Sequence, residues 1–171
     1  MLQSDAPGFT TVAVRPRLIW GPGDTVVLPG VIAAVEAGRW AWVDGGRYLT
    51  STCHVLNACE GIVRAAERGA GGAAYFLTDG EPIELREFLT RSAAAHGVRL
   101  PDRSMPHGLA RVLATGLDAA WRRLPLPGVP PVSRTAFALL MHEVTVDDGR
   151  ARRELGYAQV ISRDEGLVTL T

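Results

Sequence analysis

The chain has 171 residues with 18 basic and 18 acidic side chains, so its formal charge is zero, and every basic residue is arginine. A neutral chain offers no bulk attraction for nucleic acid or anionic lipid, and without lysine it can hold no Schiff base, P-loop lysine or Tyr-x-x-x-Lys dyad. Two cysteines, Cys53 and Cys59, are too few for a disulfide framework; with no leader-like start and no apolar run near the ~20 residues of a membrane span, a reduced cytoplasmic protein is expected.

The β-branched run Thr10–Val14 predicts a first strand, which Pro16 should end because proline donates nothing to a ladder. Gly21-Pro22-Gly23-Asp24 reads as a turn. Val31, Ile32 and Val35 then recur at helical spacing, with Pro29 in the first turn and Gly38 as the stop. Trp40–Val43 reads as extended, as does Thr50–Val55. A helix over 55–68 follows, expected to bury Val55, Ala58, Cys59, Ile62, Ala65 and Ala66, with Glu60 and Arg64 paired on its other face.

Ala74–Thr78 predicts a second buried strand, stopped by Asp79-Gly80, and a helix over 84–96 ends at Gly97. The segment 101–131 is Pro-rich at both ends. Between them a helix of about 107–123 carries the stripe Leu109, Val112, Leu113, Leu117, Ala120, Trp121 and Leu124. A further helix over 134–142, an extended Val144–Val146, and a short helix capped by Asp147 or Asp148 and ended by Gly156 come next. Ser162 and Glu165 form a capping box for a last helix running to the C-terminus. This order gives an α/β class with a helical tail, but its two central parallel strands are too few for a sheet covered on both faces. The pattern looks like part of a larger doubly wound fold.

Val12–Asp24, VAVRPRLIWGPGD, resembles the strand-and-loop segment of the extended short-chain dehydrogenase/reductases that lies just downstream of their catalytic Tyr-x-x-x-Lys. Asp44-Gly45-Gly46 with His54–Asn57, then Tyr75–Pro82, then Arg150–Tyr157 are similar to that family's next three landmarks, in order and across nearly the whole chain. The resemblance is strongest toward the 3-beta-hydroxysteroid dehydrogenase/isomerase-like branch. It implies the C-terminal portion of a Rossmann-type doubly wound fold, with sheet strands and loops at 9–24 and 73–80 and a substrate-binding and helical region at 25–72 and 81–171, in a single or partial domain. It also implies that Pro16, Arg17 and Leu18 lie against the nicotinamide of NAD or NADP, and that Trp20, Leu28, Trp42 and Thr52 line the substrate site with Leu18.

Members acting on nucleotide sugars tend to carry Asn at the position of Leu18 and Arg at that of Thr50, so the replacements point to a lipophilic, steroid-like hydroxyl or ketone. The cofactor half of the family is missing from the sequence. No glycine cluster here has the spacing of a dinucleotide loop after a strand. Tyr48, Tyr75 and Tyr157 are followed four residues later by Thr52, Asp79 and Ile161, so no catalytic dyad exists and no catalytic residue is assigned. The chain alone is expected to bind no cofactor and to be inactive.

The remaining polar candidates read as structural. Cys53 and His54 are sequence neighbours without a full ligand set, so no metal is assigned. His54 reads as a helix-entry histidine and Asn57 as a first-turn polar residue; His96, His107 and His142 show no partner pattern. Three partner classes stay open besides the substrate: a non-catalytic pairing with another dehydrogenase chain, a homo-oligomer, and a weak peripheral membrane contact through the 107–124 helix. The apolar edge at Thr10–Val14 should need covering, since a bare edge is an aggregation hazard, and the isolated chain should be marginally stable.

Overall fold

The computed structural model describes residues 8–123 and 142–170, without the side chains of Ala114 and 117–123. The chain divides into two compact units, Met1–Asp24 with Thr50–Ile83 and Thr145–Thr171, and Thr25–Leu49 with Glu84–Val144. Residues 134–141 of the helix expected at 134–142, and Leu124 of the apolar stripe, lie outside the described residues, as do the side chains of Leu117, Ala120 and Trp121.

In the first unit, β1 (Ala13–Pro16) pairs in parallel with β6 (Ala74–Leu77), from Ala13↔Ala74 to Pro16↔Leu77. The strand starts later than the Thr10–Val14 expectation and includes the proline that was to stop it. The ladder explains this: Ala13 N–H donates to Ala73 O at 2.9 Å and Arg17 N–H to Leu77 O at 3.4 Å, so the odd-numbered residues donate toward β6. The donor that Pro16 lacks belongs on the opposite edge, where proline does no harm to the pairing.

At Leu18 the chain changes neighbours. Its φ is +41°, a left-handed conformation that costs a leucine on the order of 1–2 kcal/mol. Leu18 O then accepts from Cys53 N at 3.2 Å, and β2 (Ile19–Trp20) runs parallel to β5 (Cys53–His54). The core of this unit holds Cys53, Ala58, Ala65, Ala73, Tyr75, Leu77, Ala151, Leu155 and Tyr157, with Val12 and Val14 packed against it.

Helix α2 (Val55–Arg68) spans the expected residues but buries a different face: Asn57, Ala58, Gly61 and Ala65 point inward, while Cys59, Ile62 and Ala66 are exposed. The helix lies so close to β6 that glycine, not isoleucine, faces the strand. Ile62 and Ala66 instead line an apolar groove of about 280 Å³ with Thr10, Val12, Val14, Ala65 and Gly69. Two short helices complete the unit. Of these, α5 (Gly149–Leu155) packs against α2 and β6. The other, α6 (Arg163–Val168), opens on the expected box: Ser162 Oγ accepts from Glu165 N at 3.2 Å, and Ser162 N donates to Glu165 Oε2 at 2.8 Å.

In the second unit, α1 (Val27–Glu36) packs against α3 (Leu85–Ala95), and β3 (Trp42–Val43), which is followed by a turn at Asp44–Gly46, pairs in parallel with β8 (Ser104–Met105). The two-residue strands β4 (Leu49–Thr50) and β7 (Ile83–Glu84) fall where the chain passes between units. Helix α4 (His107–Arg123) buries Ala110 against Val43 and Met105, while Leu109, Val112 and Leu113 are exposed. No helix among the described residues is long and apolar enough to cross a membrane. His107 and His142, unconnected in sequence, stack edge to face with ring centroids 4.9 Å apart.

Candidate functional site

In parallel α/β sheets ligands sit beyond the carboxyl ends of the strands. In the first unit that place is formed by Pro16–Asp24 after β1, and Thr78–Pro82 after β6. At its centre is Asp79, the second residue past β6, whose carboxylate is buried. Its Oδ2 accepts from Trp20 Nε1 at 2.6 Å and from Thr52 Oγ1 at 2.8 Å. Its Oδ1 accepts from His54 N at 2.6 Å and from Asn57 Nδ2 at 2.8 Å. A buried carboxylate is tolerated only when hydrogen bonds replace its hydration, and four donors from two chain segments, Trp20 and residues 52–57, do so here.

The network extends outward. Asn57 Nδ2 also donates to Ile161 O at 2.9 Å, and its Oδ1 accepts from Val160 N and Ile161 N, so a helix side chain closes the 157–162 loop. Arg163 Nε donates to Thr52 Oγ1 at 3.2 Å and its terminal nitrogen to Glu81 O at 2.7 Å. Asp148 stands at the N-terminus of α5 but makes no cap bond. Its carboxylate takes Thr78 Oγ1 at 2.8 Å and Arg152 at 2.7 and 2.8 Å, while Asp147 accepts from Gly149 N.

His54 is the N-cap of α2: its Nδ1 accepts from Leu56 N at 3.3 Å, which leaves the proton on Nε2. Nε2 is buried without a hydrogen-bond partner, wedged against Trp20 and against Gly166, where a Cβ would fall 2.9 Å from the ring. Burial lowers its pKa, opposed by the nearby Asp79. The unfolded chain therefore takes up a proton near pH 6.5 before the folded chain does, so this contribution to stability is full above about pH 6.5 and is lost as pH falls toward the folded pKa. The urea midpoint should drop between pH 7.5 and 5, and His54→Asn, which keeps a cap oxygen and removes the titration, should flatten that drop. An equal slope in the variant would contradict this role.

Two of the three tyrosines are tuned away from acid–base work. Tyr48 is pushed up to about 12, mainly by burial and then by Asp44. Tyr157, raised by burial, donates its hydroxyl to Thr78 O at 2.9 Å. The Cys53 thiol is also pushed up to about 12 by burial and Asp79, which leaves it without thiolate character at neutral pH. Among the described residues no group of three or more His, Cys, Asp or Glu is placed to hold a metal.

The sequence-derived residues fall as follows. Pro16, Arg17 and Leu18 are half-buried at the end of β1, and burial lowers the Arg17 pKa. Trp20 and Thr52 meet on Asp79 and are buried, so their polar atoms serve the fold. Leu28 and Trp42 are buried in the second unit, Trp42 beneath the Arg86 guanidinium at 5.2 Å and against the Trp40 ring at 5.0 Å. Asp79 itself, read from sequence only as a strand stop, is what the sequence reasoning missed; the available signal was a carboxylate directly after a buried strand. Among the described residues, neither β1 nor β6 leads directly through a glycine turn into a helix, the arrangement that cradles a pyrophosphate, so these two strands fit a dinucleotide poorly.

No family model matches the chain. It is 52% identical over 170 residues to a 4-hydroxy-2-methyl-3-oxo-4-farnesyl-3,4-dihydroquinoline-1-oxide ketoreductase of Stigmatella aurantiaca, covering 99% of this chain and 51% of the relative. To a decarboxylating sterol-4-alpha-carboxylate 3-dehydrogenase of Dictyostelium discoideum it is 30% identical over 167 residues, covering 96% and 51%. The chain thus spans about half the length of the curated relatives it matches. Among solved structures, a nucleoside-diphosphate-sugar epimerase of Pseudomonas aeruginosa gives a TM-score of 0.66 at 25% identity, covering 96% of this chain and 47% of that one. A dTDP-glucose 4,6-dehydratase of Streptomyces venezuelae, solved with NAD bound, gives 0.62 at 18% identity, covering 95% and 43%. The mixed α/β architecture with parallel strand pairs is that of part of a Rossmann-type fold.

Proposed function

We propose, the chain being a member of the extended short-chain dehydrogenase/reductase family, that it forms the substrate-side half of an NAD(P)-dependent reductase or dehydrogenase acting on a lipophilic ketone or alcohol. The observation that carries this reading is the 52% identity, along 99% of the chain, to a ketoreductase named for a farnesyl-bearing quinoline. The sequence supports the same substrate class, with Leu18 and Thr50 in place of groups that grip sugar and phosphate. In this reading Pro16, Arg17 and Leu18 face the nicotinamide end of the cofactor, and Leu18 faces the substrate. Hydride chemistry belongs to the cofactor when bound; this chain contributes the loop that borders it and an apolar wall.

The glycine loop and the tyrosine–lysine pair must then come from outside these 171 residues, on a longer polypeptide or on a partner chain. The groove between β1 and α2 favours that arrangement, because Val12, Val14 and Ile62 present an apolar edge to whatever completes the sheet. The exposed Leu109, Val112 and Leu113 of α4 give the runner-up reading, a peripheral lipid contact, a specific footing. A titration of the isolated chain with NADH or NADPH, followed by tryptophan fluorescence, should show no saturable binding up to millimolar cofactor. Micromolar affinity would overturn the division of labour proposed here. Retention in the soluble fraction during low-salt liposome flotation would remove the lipid reading.

A further inference from the structure

The geometry points to Asp79 as the positioning residue that holds Leu18 in its left-handed conformation and so fixes the loop that leaves β1. At residues 17 and 18 the chain lets go of β6 and takes hold of β5: Arg17 N–H donates to Leu77 O, and Leu18 O accepts from Cys53 N. That change of neighbour within one residue needs φ +41° at position 18, where glycine or asparagine would sit with less strain than leucine. Leucine at such a position persists only where its surroundings over-determine it. Full core burial does not supply that hold, since Leu18 is only half-buried.

The hold comes from the carboxylate. Trp20 and His54 are the register partners that close the β2–β5 pairing, and Asp79 binds both, Trp20 through its indole and His54 through its backbone N–H, each at 2.6 Å. Asp79 N–H also donates to Thr52 O at 2.7 Å, which ties the residue leading into β5 to the same aspartate. One side chain thus clamps the far side of the switch, and the strain at Leu18 has no way to relax. The functional consequence rests on the reading that Pro16–Leu18 borders the cofactor and substrate: an apolar side chain is presented from a strained backbone, and Asp79 keeps it there.

Hydrogen exchange across residues 17–24 of the full chain tests the hold by itself. Asp79→Asn, the same size with half the acceptor capacity, should speed exchange in that segment about tenfold. Leu155→Ala, which weakens the core away from the carboxylate, should lower the melting temperature without a segment-specific change. Leu18→Asn should raise the melting temperature, and in the double variant it should restore most of the lost protection. Additive effects at positions 18 and 79, unchanged exchange in Asp79→Asn, or a lower melting temperature for Leu18→Asn would each overturn the proposal. The last outcome remains readable even where Asp79→Asn does not fold. Coupling between the two positions in a chain that never supports reduction would leave the hold intact and remove the proposed reaction.

Discussion

Asp79→Ala is expected to abolish the cooperative unfolding transition of the chain. The substitution takes the acceptor away from Trp20 Nε1, Thr52 Oγ1, His54 N and Asn57 Nδ2 at once, and all four residues are buried. A buried donor left without a partner costs about 1–3 kcal/mol, so even with partial repair by water the loss should exceed about 4 kcal/mol. That is most of the stability of a domain at the lower end of the usual range of about 5–15 kcal/mol. Urea unfolding followed by circular dichroism measures it. A well-defined transition displaced by less than about 1 kcal/mol would mean that the network is ornamental.

Gly61→Val should destabilise by about 3 kcal/mol or more through overpacking. Gly61 is where α2 presses on β6: a Cβ there would lie 2.2 Å from Leu77 Cδ1 and 2.9 Å from Leu77 Cγ. Leu77 is fully buried in the main core cluster and cannot swing aside. The helix must therefore lift off the strand or the leucine must leave its rotamer. Pairing the change with Leu77→Ala should recover part of the loss, because the missing isobutyl group makes room. Thermal melts of the two single variants and the double variant read this out. Independent, additive losses would show that helix and strand are not in the contact described.

The sequence was most informative where local chemistry decides. Helix α2 was legible to the residue, and so was the Ser162–Glu165 box, because each depends on neighbours three or four positions apart. The inward face of α2 was not legible. Hydrophobicity selected Ile62 and Ala66, whereas close approach to β6 selected Gly61 and a buried Asn57. Glycine in a helix reads as a propensity penalty until the strand it touches is known. The same limit hid Asp79, whose partners lie 22 to 59 residues away, and moved β1 toward Pro16, since which edge lacks the donor is a property of the pair. The burial of Trp20 and Thr52 was hidden in the same way, since their common acceptor Asp79 lies 27 to 59 residues away.

Supplying the missing half tests the assignment most directly. The chain should be combined, fused or in trans, with a Rossmann half that carries the glycine loop and the Tyr-x-x-x-Lys pair, and NADPH oxidation followed with a long-chain ketone. Neither half should turn over alone, and the combination should consume NADPH with the lipophilic ketone and not with a nucleotide sugar. NADPH-dependent turnover by this chain alone, or a combined enzyme that prefers the nucleotide sugar, would contradict the assignment.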